Sequence, residues 1–465
     1  MIGGPLLLIA APLVAAVITF PLRRFVSLTA LIAALVPLAA AVWALQAPFD
    51  EPQAILGRTI ALDNGDRIGI AYLFIVSAAI AVGVWRSSPG WSYYPIVLVI
   101  LGVLAAAFII RPPPNEVYPS FIYSALFMTI ASALAVFPLQ GGKPGVAGSV
   151  LRFITLTTLA LPALLMADWT LGQFIQSPDS SEIAQASIAL VALGFALLLA
   201  VAPFHTWLPA VSSEAPPLST AFVLNVLLGA GWILLLDVLN GNRLISGSPD
   251  TPALLRGAGL LMAALGGLLA WAQRDFGRLL GYGALADMGV SLFAIGIGST
   301  AGLAAAFVGV IGRSIGTGLM CMGMALARER HGDDSFTTLR GSVWHLPWAS
   351  LAIVVGGLSL AGFPPLAGFA GRWGIVQEAI AVDPRAAVAL LASGVSVALG
   401  VLRGLREMLY APLAVDGLPP HERRSEVILI AAALALCLFV GLFPGALAPF
   451  VREFVAAYAF VGGSR

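Results

Sequence analysis

The sequence predicts an all-α polytopic membrane protein with about 14 transmembrane helices, organised as two inverted repeats that each contain a discontinuous helix. Three observations carry this expectation. First, 59% of the 465 residues are hydrophobic and 10% are charged, against roughly 25% charged in a soluble chain. A soluble fold of this length could not hide so much apolar surface. Second, the apolar residues come in successive runs of about 20, the length that crosses a hydrocarbon core as a helix. Third, APPLSTAF at 215–222 is echoed by FPPLAGFAG at 363–371. Both place Pro-Pro-Leu at or just before a helix start, and paired broken helices in corresponding halves are how inverted-repeat transporters build a site at mid-depth.

In chain order the runs fall near 4–22, 26–46, 69–86, 93–110, 119–139, 149–168, 184–203, 218–239, 252–273, 277–297, 301–327 and 346–363, followed by 366–382, 386–409 and 426–448. The 366–382 and 386–409 pieces can be one helix broken at Asp383-Pro384, since proline cannot continue a helix. None of the runs shows the alternation of a β-barrel strand. The longest loops, 47–68, 169–183, 240–251, 328–345 and 410–425, are each too short for a core of their own. The chain therefore divides into N-terminal helices at 1–90, a central core at 91–410 and a last loop and helix at 411–465. The first run, MIGGPLLLIAAPLVAAVITF, lacks the basic stretch of a signal peptide and reads as a span that is kept.

The net charge is +1, and nothing in it favours nucleic acid. Cys321 and Cys437 lie in apolar runs and read as small core residues. There is no CxxC set, no GxGxxG after a strand, no phosphate loop, and no histidine at metal-ligand spacing. No cofactor or metal is expected on this chain, and any redox chemistry belongs to partner subunits. Basic residues in short loops set the orientation. Arg23, Arg24, Arg86, Lys143, Arg274, Arg278, Arg328, Arg330, Arg340, Arg403, Arg406, Arg423 and Arg424 fall on one side, expected to be cytoplasmic. Arg58, Arg67, Arg111, Arg243, Arg256, Arg452 and Arg465 fall on the other, which places both termini on the outer side.

Three blocks carry a family resemblance: PFHTWLPAVSSEAPPLSTAF at 203–222, QRDFGRLLGYGALADMG at 273–289 and LSLAGFPPLAGFAGRW at 358–373. Their order and spacing resemble the antiporter-like membrane subunits of respiratory complex I (NADH:quinone oxidoreductase) over roughly 90–410. The length and short ends are most similar to subunit N, with subunit M next. The same fold is shared by Mrp-type cation/proton antiporter subunits and by membrane subunits of energy-converting hydrogenases. The resemblance implies a bacterial inner-membrane subunit whose partners are the lipid bilayer and other membrane-arm subunits of a complex I-like assembly. NADH and quinone would be reached only through those partners.

The departures from the family pattern are as informative as the matches. Such subunits typically carry a buried Glu on the fifth helix, a Lys on the broken seventh, and Lys or His further along. Burial and a nearby carboxylate tune such groups so that moving one charge drives proton uptake or release. Here the seventh-helix Lys position is Gly229, the Lys of the second block is Gly277, the His of that block is Asp287 and the Lys of the third block is Arg372. The fifth-helix run, SFIYSALFMTIASALAVF, has no carboxylate, and Glu116 lies in the loop before it.

The polar residues left within the spans are therefore the ion-pathway candidates. Asp287 and Arg313 stand about midway along their runs, where a lone charge costs at least a few kcal/mol, so consecutive helices are expected to bring them together. They are either a surviving part of a proton axis or a fixed ion pair. Arginine's high pKa, above about 12, makes it a poor proton carrier. Asn225 lies one turn before Gly229 on the same face. His205 is either a proton-uptake group or a cap for backbone carbonyls. Glu214 is expected to favour the N-terminus of the next helix, with a possible part in ion uptake. Glu378 and Asp383 flank the 383–384 break. Two functional classes stay open, with an altered proton route or with a purely structural place in the membrane arm, beside an Mrp-type antiporter or a hydrogenase-type complex.

Overall fold

The computed structural model describes residues 4–46, 53–55, 58–85, 92–111, 120–176, 180–410 and 422–461. Glu116, Arg86 and Arg465 lie outside these residues. Among the described residues, eleven helices are long and apolar enough to cross a membrane: Val26–Gln46, Asn64–Val84, Ile122–Leu139, Val146–Gln176, Ser181–Leu198, Pro217–Gly241, Asp250–Ala272, Phe276–Ile297, Thr300–His331, Pro384–Met408 and Arg424–Leu442. Leu6–Thr19, Tyr93–Ile109 and Pro347–Leu360 are shorter apolar helices. Every apolar run of the sequence is thus a helix. Reading by runs missed a small antiparallel sheet, in which Gln53–Ile55 pairs with Arg58–Ile60 and that strand with Ile110–Arg111.

The bundle is layered by burial. The Pro217–Gly241 and Phe276–Ile297 helices are the most enclosed, with 94% and 89% of their apolar windows inside the protein. The Arg424–Leu442 helix is the least, at 22%, and turns Ile428, Leu436, Leu438 and Phe439 outward. That outward apolar face suits lipid, which offers no polar partners. The site described below is built on the two enclosed helices and on Thr300–His331, which packs beside them.

The chain is interrupted at both Pro-Pro-Leu motifs. The Trp207–Glu214 helix stops, Ala215 and Pro216 are extended, and Pro217 opens the next helix. Proline at 217 bars its predecessor from the helical region and is itself tolerated in a first turn. Inside Pro217–Gly241, residues Val223–Leu227 form a π-helical turn, a local widening often found at functional sites.

The second interruption corrects the sequence reading. A Cβ built on the glycines of Thr300–His331 meets the facing chain in one descending order: Gly323 meets Ala349 and Ile353, Gly316 meets Gly356 and Ser359, and Gly312 meets Ala367 and Gly368. Gly371 in turn faces Gly309. The Pro347–Leu360 and Ala367–Val382 helices are therefore two halves of one course, antiparallel to Thr300–His331 and broken at 361–366. Gly362 in that break has φ +77, a conformation open to glycine. At Asp383-Pro384 the chain instead folds back on itself. Arg372 reaches across to the Leu390 carbonyl and Ser393 Oγ, and Asp383 caps Pro384–Met408 by accepting the Arg385 N–H at 2.9 Å. The discontinuity belongs to the Pro-Pro-Leu motif, and residue 383 is a turn between two helices.

Close backbone approach along this seam predicts a graded response to added methyl groups. Gly371→Ala would drive a Cβ into the Gly309 backbone, and overpacking of this kind costs about 1–3 kcal/mol. Gly257 has nothing within 4 Å of its Cβ position. Thermal unfolding in detergent is expected to show a lowered Tm for Gly371→Ala and an unchanged or raised Tm for Gly257→Ala.

Candidate functional site

Asp287 and Arg313 meet because a tight hairpin runs their helices side by side, and the long arginine side chain bridges their unequal distances from its turn. Phe276–Ile297 ends at Gly298 (φ +74), and Ser299 caps Thr300–His331 by accepting the Gly302 N–H. Ten residues back from Ile297 and thirteen on from Thr300, the two side chains face each other with Arg313 Nη1 3.4 Å from Asp287 Oδ2. Arg313 is 1% exposed and Asp287 8%. Met288 Sδ lies 3.9 Å from the same nitrogen.

A second guanidinium addresses the same carboxylate. Arg372 is buried on the Ala367–Val382 helix and interacts electrostatically with Asp287. It is steered by Ser393 Oγ at 2.6 Å and the Leu390 carbonyl at 3.2 Å. Arg313 Nε and Nη2 and Arg372 Nε and Nη1 meet no acceptor among the described residues. The centre of the bundle therefore holds one carboxylate paired with Arg313, with a second buried guanidinium, Arg372, near enough to act on it electrostatically.

Asn225 belongs to the same centre. It sits in the π-helical turn and donates Nδ2 to Thr317 Oγ1 at 2.8 Å and to the Ala221 carbonyl at 2.9 Å. Thr317 lies one turn beyond Arg313 and is bonded to the Arg313 carbonyl at 2.7 Å. Asn225 thus ties the broken-helix element to the arginine-bearing helix. Gly229, four residues on, is covered by Tyr72 of Asn64–Val84: a Cβ at Gly229 would lie 3.3 Å from the Tyr72 ring and 3.7 Å from its hydroxyl. That hydroxyl is 2.6 Å from Ser314 Oγ, next to Arg313. The space over Gly229 is thus filled by a tyrosine from another helix.

Gly277 is closed in a similar way. A Cβ there would strike the backbone of Ser212 and Ser213 and lie 3.0 Å from Arg328 Nη2. Arg328 uses that space to donate to the carbonyls of Ala215 at 2.6 Å and Ser213 at 2.8 Å, and to Asp334 at 2.8 Å. It satisfies the carbonyls that the first break leaves without helical partners. Lys143 joins from the other side, to Asp333 and, at 2.5 Å, to Asp334. Burial alone would raise the Asp333 carboxyl, but hydrogen bonds from Lys143 and Ser335 outweigh it and hold Asp333 well below the usual carboxylate range.

The remaining candidates lie away from the Asp287–Arg313 centre. His205 occupies the turn before Trp207, faces Tyr282 at 6.5 Å between ring centroids, and is pushed below its ordinary range by burial. Glu214 does not open the next helix as expected from sequence. It closes Trp207–Glu214, and its carbonyl accepts the Lys143 N–H at 2.7 Å, because the next helix starts only at Pro217. Glu378 accepts Ser299 Oγ at 2.7 Å and so supports the cap of Thr300–His331. Tyr72, Ser314, Thr317 and Arg328 were missed from sequence. Tyrosine, serine and threonine give no signal inside apolar runs, whereas Arg328 was read only as a loop charge.

The fit of Tyr72 over Gly229 predicts a compensating pair. Gly229→Lys alone is expected to lower thermal stability, by the 1–3 kcal/mol typical of overpacking or more. Gly229→Lys with Tyr72→Ala is expected to be more stable than the sum of the two single changes, as a double-mutant cycle in detergent would show.

Residues 119–399 match the family described as NADH:quinone oxidoreductase/Mrp antiporter, transmembrane. The chain is 31% identical over 289 residues to NADH-quinone oxidoreductase subunit N 2 of Acidobacterium capsulatum, a match that covers 59% of this chain and 58% of that relative. It thus spans less than two thirds of that relative's length. Among solved structures, a chain of the membrane-bound sulfane sulfur reductase, an archaeal respiratory membrane complex, superposes with TM-score 0.83 at 18% identity, over 98% of this chain and 99% of that one. A chain of respiratory complex I from Thermus thermophilus gives TM-score 0.79 at 21% identity, over 99% and 100%. At these identities the superpositions show the fold: a helical polytopic membrane architecture common to several respiratory complexes. With the matched stretch covering more than half its length, the chain belongs to the NADH:quinone oxidoreductase/Mrp antiporter transmembrane family.

Proposed function

We propose that this chain is an integral membrane subunit of a complex I-like NADH:quinone oxidoreductase whose central axis is a fixed charge cluster in place of a lysine relay. The observation that carries this is the Arg313–Asp287–Arg372 cluster with Tyr72 packed over Gly229. A relay needs groups that take up and release protons near neutral pH. Guanidinium groups do not release theirs, and the one carboxylate of the centre is engaged as the partner of Arg313. The cluster's physical role is to join three helices in a medium that leaves unpaired charges costly.

In this reading the two Pro-Pro-Leu breaks are the discontinuous helices of two inverted repeats. With 347–382 as one interrupted span, the helices make about 14 crossings. The Lys143 and Arg328 end faces the cytoplasm by the positive-inside rule, with both termini outside, in a bacterial inner membrane. The chain binds no cofactor and meets NADH and quinone chemistry only through partner subunits. An Mrp-type antiporter or a hydrogenase-type complex would use the same fold. Co-purification of an NADH-oxidising partner supports complex I, and its replacement by a different redox partner or by none would reassign the chain.

The mechanistic part is tested by proton pumping in the assembled complex. Asp287→Asn leaves two buried guanidiniums without their carboxylate, so assembled complex is expected to fall. The ratio of protons moved to electrons transferred, per assembled complex, is expected to stay at the wild-type value. Normal assembly with a reduced ratio would show that Asp287 carries protons. Arg313→Ala is expected to behave in the same way, with loss confined to assembly.

A further inference from the structure

A second buried polar cluster lies at the other end of the bundle. Pro217–Gly241 starts at the Arg328 end and rises about 1.5 Å per residue, so Asp237 lies roughly 30 Å from that end. Three segments converge on it. Asp66 is in the first turn of Asn64–Val84 and 3% exposed. Arg111 comes from the small sheet and donates Nη2 to Asp63 Oδ2 at 2.8 Å and to Asp66 Oδ2 at 2.7 Å. Tyr458, after the Ala448–Ala456 helix, donates its hydroxyl to Asp237 Oδ1 at 3.1 Å. Tyr458, bonded to Asp237, also packs over Gly65 beside Asp66, and the two carboxyls act on each other electrostatically.

The cluster does not balance without a proton. Two ionised carboxylates cannot hydrogen-bond to each other, since each only accepts. Like charges at such range in a buried place leave one of the two protonated. Asp63, Asp66 and Asp237 face a single guanidinium, and Arg111 is already committed to Asp63 and Asp66. Asp237 has no cation of its own among the described residues; its partners are a phenol and another acid. Asp66 Oδ1 is buried and receives no N–H or O–H hydrogen bond, so it is the oxygen left to accept a proton carried by Asp237.

We infer that Asp66 and Asp237 form a proton-binding site that holds one proton between two carboxyls, at the end of the bundle opposite Lys143. The occupant is a proton and not a metal cation, because the cationic position beside the carboxyls is already filled by Arg111. Tyr458 closes the site. Its ring would lie 3.0 Å from a Cβ at Gly65, and the segment behind it is pinned by Asn240, which bonds the Ala457 carbonyl at 3.3 Å and the Ala459 N–H at 2.9 Å. Burial and the Asp237 carboxyl push the Tyr458 phenol well above its ordinary range, so it stays a donor. The site stands clear of the Asp287 centre and does not depend on which complex the chain serves.

Infrared difference spectroscopy on the full chain reconstituted in lipid at pH 7 tests this through the carbonyl band of a neutral carboxylic acid. The band is expected in the wild type and absent from both Asp66→Asn and Asp237→Asn, since either change gives the remaining carboxylate of the pair an amide donor in place of a second acid. Tyr458→Phe is expected to keep the band and shift its frequency, a readout that does not rely on the aspartate variants folding. A band that is the same in the wild type, Asp237→Asn and Tyr458→Phe would overturn the assignment. So would loss of the band on adding sodium, which would make the pair a cation site.

Discussion

A charge in the middle of a lipid-embedded bundle must find a partner inside the protein, and the Asp287–Arg313 hairpin is how this chain meets that constraint. The two residues sit ten and thirteen residues from the ends of the helices that the Gly298–Ser299 turn joins, so that tight turn brings them to one level of the bundle. Arg372 arrives from the second broken span and Asn225 from the first, the latter through Thr317. The elements that make the fold discontinuous are thus fastened to one ionic centre. The glycine seam between Thr300–His331 and the 347–382 course brings these backbones close together.

In the proposed reading Gly229 and Gly277 stand where related subunits carry basic groups, and neither position is left hollow. Tyr72 covers the first and Arg328 reaches beside the second. The two substitutions differ in consequence. Tyr72 brings a hydroxyl that bonds Ser314 and adds no charge. Arg328 brings a permanent charge and spends it on the carbonyls at the Pro216 break and on Asp334. Both contacts fix the geometry of the helices they join.

Much of the fold was legible because each span is a long apolar run, and lipid leaves helices as the way to satisfy backbone polar groups along such a run. The Asp287–Arg313 pair was legible for the same reason, as two charges in adjacent runs. The second break was misplaced because Asp383-Pro384 and Pro364-Pro365 are both helix-stopping signals. What separates them is tertiary: the glycine contacts that continue one course past 361–366, and Arg372 folding back onto Leu390 and Ser393 past 383. Tyr72 over Gly229 joins residues far apart in sequence, and no local pattern marks that contact. Asp66 escaped notice because it stands just outside the apolar run that begins near 69, and Asp237 because it comes at the close of its own.

The central claim is that Asp287 and Arg313 hold each other as a fixed pair, and a double-mutant cycle measures that directly. Unfolding free energies of the detergent-solubilised chain would be compared for wild type, Asp287→Asn, Arg313→Gln and the double variant. Removing one member of a buried pair costs about 3–5 kcal/mol, while removing both together costs much less. The account predicts that the double variant recovers most of what either single change loses. Two single changes that each cost little, or a double variant whose loss equals their sum, would contradict it.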